Sequence, residues 1–290
     1  MNRPRPLLFL LPLLLPSTLA AQPDATAAIT AGDAAYAKRA EGHQGPKAQP
    51  GPISEAIADY ERAVKEQPDR LEGSWKLLRV LAFKGEFVAR NNDEKQKVFA
   101  QGKVVAEAAM DRLARRVGGR AKLDAMTPAQ TAKALAGVPE ATPLYLWSAV
   151  NWGLWGDVFG RLAAARQGVG DKVRTYSEIL TALDERYEDA AGHRIQGRLH
   201  TLAPKIPFIT GWVDRDKAVS ELRRAVALGP DNLDNHFFLA EALFDHFPAK
   251  AAEAREICRK LLSRQPVPNW VVEQESTLAK TRDLLAKHPG

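Results

Sequence analysis

Two arginines, Arg194 and Arg198, stand one helical turn apart in the stretch HRIQGRLH. That spacing would let two guanidinium groups fork onto one carboxylate or other oxyanion. Just before them come Asp184, Glu185, Glu188 and Asp189, with Arg186 among them. Paired carboxylates are material for acid–base catalysis. The same run also reads as a solvated helix face, where an ion pair contributes only ~0.3–0.5 kcal/mol. The interleaving of signs favours ion pairing over catalysis, and it offers Arg194 and Arg198 local partners as an alternative to an anion.

The second group is aromatic. PLYLWSAVNWGLWGDVF, residues 143–159, holds three of the six tryptophans, Trp147, Trp152 and Trp155. At helical spacing Tyr145, Ala149, Trp152, Trp155 and Phe159 share one face, while Trp147, Val150 and Leu154 share another. A helix that is apolar all round is buried, and aromatic stripes at this spacing ordinarily pack. The sharper expectation is that one face lines an apolar pocket between helices. Tyr145, Trp152, Trp155 and Trp212 would wall it, Trp147 would stand nearby, and Asn151 would orient a ligand.

Other chemistry is absent from the pattern. There is no nucleophile elbow, no zinc pair and no dinucleotide fingerprint, and GVGDK at residues 168–172 lacks phosphate-loop spacing. The six histidines are scattered; His193 and His200 share a helix face without further ligands. No catalytic residue, metal or cofactor is expected.

The elements that must position these residues carry an internal repeat. Ala56, Tyr60, Ala63 and Pro68 recur at the same spacing as Ala218, Leu222, Ala225 and Pro230, and again as Ala254, Cys258, Leu261 and Pro266. In residues 53–65 the apolar positions step by three and four, and the proline ends the helix. Each such helix needs a partner before it. Residues 25–39, with Gly32 and Tyr36 at the packing places, serve the first copy, and residues 232–247 the third. Residues 41–52, rich in glycine and proline, form the loop inside the first pair. Further helices are predicted over residues 93–117, 143–156, 158–167, 172–188, 192–203 and 269–287. Thr127-Pro128 and Thr142-Pro143 each read as an N-cap followed by proline at the first helical position. No period-two alternation is sustained. The predicted fold is all-α: an array of antiparallel helix pairs, a TPR-like α-solenoid.

Arg3 and Arg5, the apolar run 7–15 and Thr18-Leu19-Ala20 have the layout of a cleavable signal peptide, residues 1–21. A single domain, 22–290, is expected to follow, exported to the periplasm, with no transmembrane span in the mature chain. The one cysteine, Cys258, excludes an internal disulfide and falls at a buried repeat position. None stands just after the signal to carry a lipid. The net charge of +6, or +4 without Arg3 and Arg5, is interleaved with acids, a pattern of solvated helices and not of a nucleic-acid groove.

Several stretches resemble the T component of TRAP (tripartite ATP-independent periplasmic) transporters, the TatT family. They are SWKLLRVLAFKGEF (residues 74–87), LYLWSAVNWGLWGD (144–157), AGHRIQGRLHTLAPKIP (191–207) and DKAVSELRRAVALGPDNLDNHFFLAEALF (216–244). The resemblance implies a non-catalytic periplasmic helical-repeat protein. Such a protein would assist uptake by associating with the transporter's substrate-binding subunit, hold a small apolar or organic-acid ligand in an internal channel, and in some cases form a homo-oligomer. The alternative function is a general cell-envelope scaffold that binds proteins without a small molecule.

Overall fold

The computed structural model describes residues 25–207 and 210–289; the expected signal peptide lies outside them. Helix-forming periodicity dominates, and the chain runs as α1 (Thr26–Ala37), α2 (Pro50–Glu66), α3 (Leu71–Phe83), α4 (Asn92–Arg115), α5 (Arg120–Asp124), α6 (Pro128–Leu135) and α7 (Ala141–Phe159). It continues as α8 (Arg161–Arg166), α9 (Val169–Leu183), α10 (Tyr187–Leu202), α11 (Arg215–Leu228), α12 (Leu233–His246), α13 (Ala251–Leu262) and α14 (Val271–Lys287). A π-helical turn, Lys84–Val88, extends α3. The described residues hold no strand, and no helix among them is long and apolar enough to cross a membrane.

Two series of helices alternate along the chain. Helices α1, α3, α7, α10, α12 and α14 touch one another in that order, while α2, α4, α9, α11 and α13 each pack against the members of the first series before and after them. The repeat explains the close fit within pairs. Ala56, Tyr60 and Ala63 are fully buried, as are Ala218, Leu222 and Ala225, and Ala254 with Cys258. The large residue of two of the three copies is received by a glycine opposite: a Cβ on Gly32 would lie 2.6 Å from the Tyr60 ring, and one on Gly197 2.4 Å from Leu222 Cγ.

The two ends of the array meet. Arg39, just beyond α1, donates from Nε to Glu273 Oε1 at 2.9 Å, donates to the Asn269 carbonyl, and stacks 5.0 Å from the Trp270 ring centre. Val272 belongs to the same buried cluster as Tyr36 and Phe83. The end of α1 and the start of α14 are therefore in contact.

Several boundaries differ from the sequence expectation. Thr127 does cap α6, in a reciprocal capping box with Gln130. Helix α7 starts at Ala141, before the expected cap at Thr142. Pro143 then falls at the third helical position, where its missing N–H is one that no helix satisfies internally. Gly160, at φ 84°, divides the expected helix 158–167. The expected helix 172–188 ends early, at Leu183, because Asp184 is extended.

Candidate functional site

Helix α7 has two faces with different fates. Tyr145, Trp152 and Trp155 are buried in the core against the second series. The Trp152 indole donates to Glu107 at 3.1 Å and meets Trp155 edge-on, and Trp155 stacks on Phe159. Lys103 and Lys172 lie over the Trp152 ring at 5.0 and 4.8 Å. Tyr145 packs on Tyr176, and burial raises both phenol pKa values far above their ordinary range. Asn151 is wholly buried and clamps α7 to α3, donating to the carbonyls of Leu78 and Trp147 at 3.0 and 2.8 Å. Its position requires a glycine opposite, since a Cβ on Gly102 would lie 2.1 Å from Asn151 Oδ1.

The other face carries Trp147, Val150, Leu154 and Asp157, none of them buried. The Trp147 indole nitrogen is enclosed without a partner among the described residues. Asp157 is exposed, yet protein crowds it enough that burial raises its carboxyl pKa against the opposing pull of Arg198. Water reaches such a side chain while protein surrounds it, as on the wall of a concavity.

Burial lowers the Arg198 pKa, and carboxylates of α7 (Asp157), the π turn (Glu86) and α12 (Asp234, Asp245) work against that. The Tyr36 phenol is pushed up to about 12 by burial, while Arg79, Arg39, Glu273 and Glu188 all act on it. Burial likewise raises Glu273, with Arg39 opposing. Tyr36 on α1 thus lies near charges of α3, α10 and α14, and Arg198 on α10 near charges of α7 and α12.

The sequence-predicted arginines are both here, with separate partners. Arg198 pairs with Glu241 and lies 4.4 Å from the Phe238 ring centre. Arg194 holds backbone. Its Nη1 donates to the carbonyls of Glu188 and Asp189, both at 3.2 Å, and to Asn235 Oδ1 at 3.0 Å. Those carbonyls belong to a left-handed turn: Glu188, Asp189 and Ala190 have φ of 48°, 57° and 64°. Left-handed conformation costs a non-glycine residue ~1–2 kcal/mol. The turn persists because Arg194 and Asn235 bind its carbonyls and Gly229 leaves room for it. Trp212 stands apart from α7, edge-on to His200 and 5.0 Å from the Arg174 guanidinium. Of the predicted residues, Tyr145, Asn151, Trp152 and Trp155 are buried in the core, while Trp147, Arg194 and Arg198 are half-buried.

Sequence reasoning gave no site role to Arg79, Tyr187 and Asp157, and read Tyr36 only as a packing residue. Their signal was weak, because each lies in a separate helix and nothing in the local pattern joins them. No protein-family model matches the sequence, and no curated protein matches it at a significant level.

Proposed function

We propose that the protein is a non-catalytic, periplasmic TPR-like helical-repeat protein, the T component of a TRAP-type solute transport system. It binds the transporter's substrate-binding subunit and holds a small organic ligand in its interior. The observation that carries this reading is the interior itself. Six helices turn aromatic and charged side chains inward, and the contact between Arg39 and Glu273 brings the last of them back to the first. The alternation of two helix series, with a glycine receiving the large residue of each of two repeat copies, supports the array of antiparallel pairs. Export rests on the sequence of residues 1–21, and self-association into a homo-oligomer on the family resemblance.

Native mass spectrometry of residues 22–290, purified without added ligand, tests the reading. A discrete extra mass that leaves on denaturation is expected. Bare protein would favour the scaffold that binds proteins alone.

A further inference from the structure

The corner between α10 and α11 turns on one imidazole. His200, in the last turn of α10, is 2% exposed, and its Nδ1 accepts the backbone N–H of Asp214 at 3.1 Å. A ring nitrogen that accepts carries no proton, so this imidazole is neutral with its hydrogen on Nε2. Trp212, two residues before Asp214, meets the same ring edge-on, 5.5 Å between ring centres. Trp212 also lies against α9. A Cβ on Gly170 would stand 3.3 Å from its Cζ2, and the Arg174 guanidinium is 5.0 Å from its ring centre. The Asp214 carboxylate in turn caps α11, accepting from the amides of Asp216 and Lys217 at 2.9 and 3.1 Å. His200 therefore holds the start of α11 by two grips, one polar and one aromatic.

The surroundings have no place for a second proton on the ring. A protonated Nδ1 would face the Asp214 N–H donor to donor, and their hydrogen bond would be lost. The C-terminus of a helix attracts cations, but its carbonyls are already taken. Arg215 donates from Nη1 to those of His200 and Thr201 and from Nη2 to that of Ala203, and His246 of α12 donates to that of Thr201 at 2.9 Å. Burial, followed by Lys217 of α11 and Arg174 of α9, lowers the His200 pKa, while Asp214 and Glu221 pull the other way. The carboxylates Asp157 of α7 and Asp234 and Asp245 of α12 act on Arg198. His193, seven residues earlier, is the opposite case. Both of its ring nitrogens meet carboxylates, Glu221 at 2.5 Å and Glu185 at 3.1 Å, so both carry hydrogens. One helix thus docks through a charged histidine at one end and a neutral one at the other.

We propose that His200 is an acid-released catch: a proton on Nδ1 breaks its bond to Asp214 and frees Trp212 and the first turn of α11 from α10, while the His193 end stays docked. The stability that the catch contributes is complete above about pH 6.5 and is lost as pH falls through the lowered folded value. The proton comes from solvent and leaves again on neutralisation, so the release is reversible. It does not depend on whether the protein holds a small molecule.

The test combines imidazole nitrogen NMR with amide hydrogen exchange of residues 22–290, corrected for the intrinsic effect of pH. At about pH 7.5 His200 should show a hydrogen on Nε2 alone, in the neutral range of the group. Between about pH 7.5 and about pH 5, protection across residues 212–217 should fall roughly fivefold or more, the scale of one lost hydrogen bond, while residues 221–225 keep theirs. His200→Asn puts a non-titrating amide oxygen near the place of Nδ1, so its protection should be the same at both pH values. His200→Phe, which has no acceptor, should lack that protection at both. An equal loss all along α11 overturns the proposal, and so does a His200→Asn protein that still loosens in acid. A charged His200 at about pH 7.5, or one with its hydrogen on Nδ1, overturns it in the wild type alone, so the test stands even if neither variant folds.

Discussion

Trp152 and Trp147 lie five residues apart on one helix and should respond differently to the same change. Trp152 is fully buried, with its indole N–H bonded to Glu107, so Trp152→Ala should lose about 3–5 kcal/mol in a denaturant titration. Trp147 is half-buried and its indole nitrogen has no partner among the described residues, so Trp147→Ala should cost clearly less. Asp157 gives a test with a defined sign. Its folded pKa is raised by burial, so the ionised carboxylate weighs against the folded state once pH exceeds the unfolded value, and Arg198 only partly offsets this. Asp157→Asn should therefore raise the thermal midpoint at pH 7, and the gain should vanish below about pH 4. His193 runs the other way. Its pKa is raised, first by the hydrogen bond to Glu221 at 2.5 Å and then, against some burial, by Glu185 at 3.1 Å. The stability it contributes is complete below about pH 6.5 and is lost as pH rises through the elevated folded value. The midpoint difference between the wild type and His193→Gln should shrink across that window.

At this scale the sequence was legible in kind more than in place. The aromatic periodicity of α7 identified both of its faces and the plain reading that such a helix is core. It did not say which face meets the interior, because both are apolar and the choice depends on which neighbours arrive. Asn151 looked like a ligand group for its isolation among apolar residues; its amide nitrogen donates to two backbone carbonyls, while its Oδ1 is buried without a partner among the described residues. Arg194 and Arg198 sit at the predicted spacing, yet α12 and the turn at the start of α10 supply partners that spacing alone could not disclose.

Among the elements, the recurring alanines, the large residue between them and the terminal proline were enough to expect paired helices. The glycine that receives the large residue was visible in one copy, at Gly32. Gly32→Ala and Gly197→Ala should each destabilise by about 1–3 kcal/mol, the range for overpacking a close contact, read as a lowered denaturation midpoint. The left-handed turn was illegible, since Glu188, Asp189 and Ala190 are ordinary helix residues and only their distant partners hold them otherwise. Gly229→Ala tests that account: its new Cβ would come within 2.7 Å of the Asp189 carbonyl oxygen, so the turn and the docking of α10 on α11 should loosen together. Faster amide exchange across residues 187–194 is the expected readout.

For the whole molecule, the central matter is whether the array returns on itself. Local periodicity gave the helices and their pairing, but closure depends on the summed rotation of many pairs, a quantity no single stretch encodes. Arg39 is where it becomes visible, bonded to Glu273 and Asn269 and stacked on Trp270. The enclosed interior proposed for the ligand presupposes that contact. The most direct measurement is a spin-label distance between Lys38, after α1, and Glu275, on α14. The native cysteine does not compete for label, since Cys258 is buried and its thiol is pushed up to about 11. A short, narrow distance distribution that broadens in Arg39→Ala is the predicted result. A long or broad distribution in the wild-type background would contradict closure, and the enclosed interior with it.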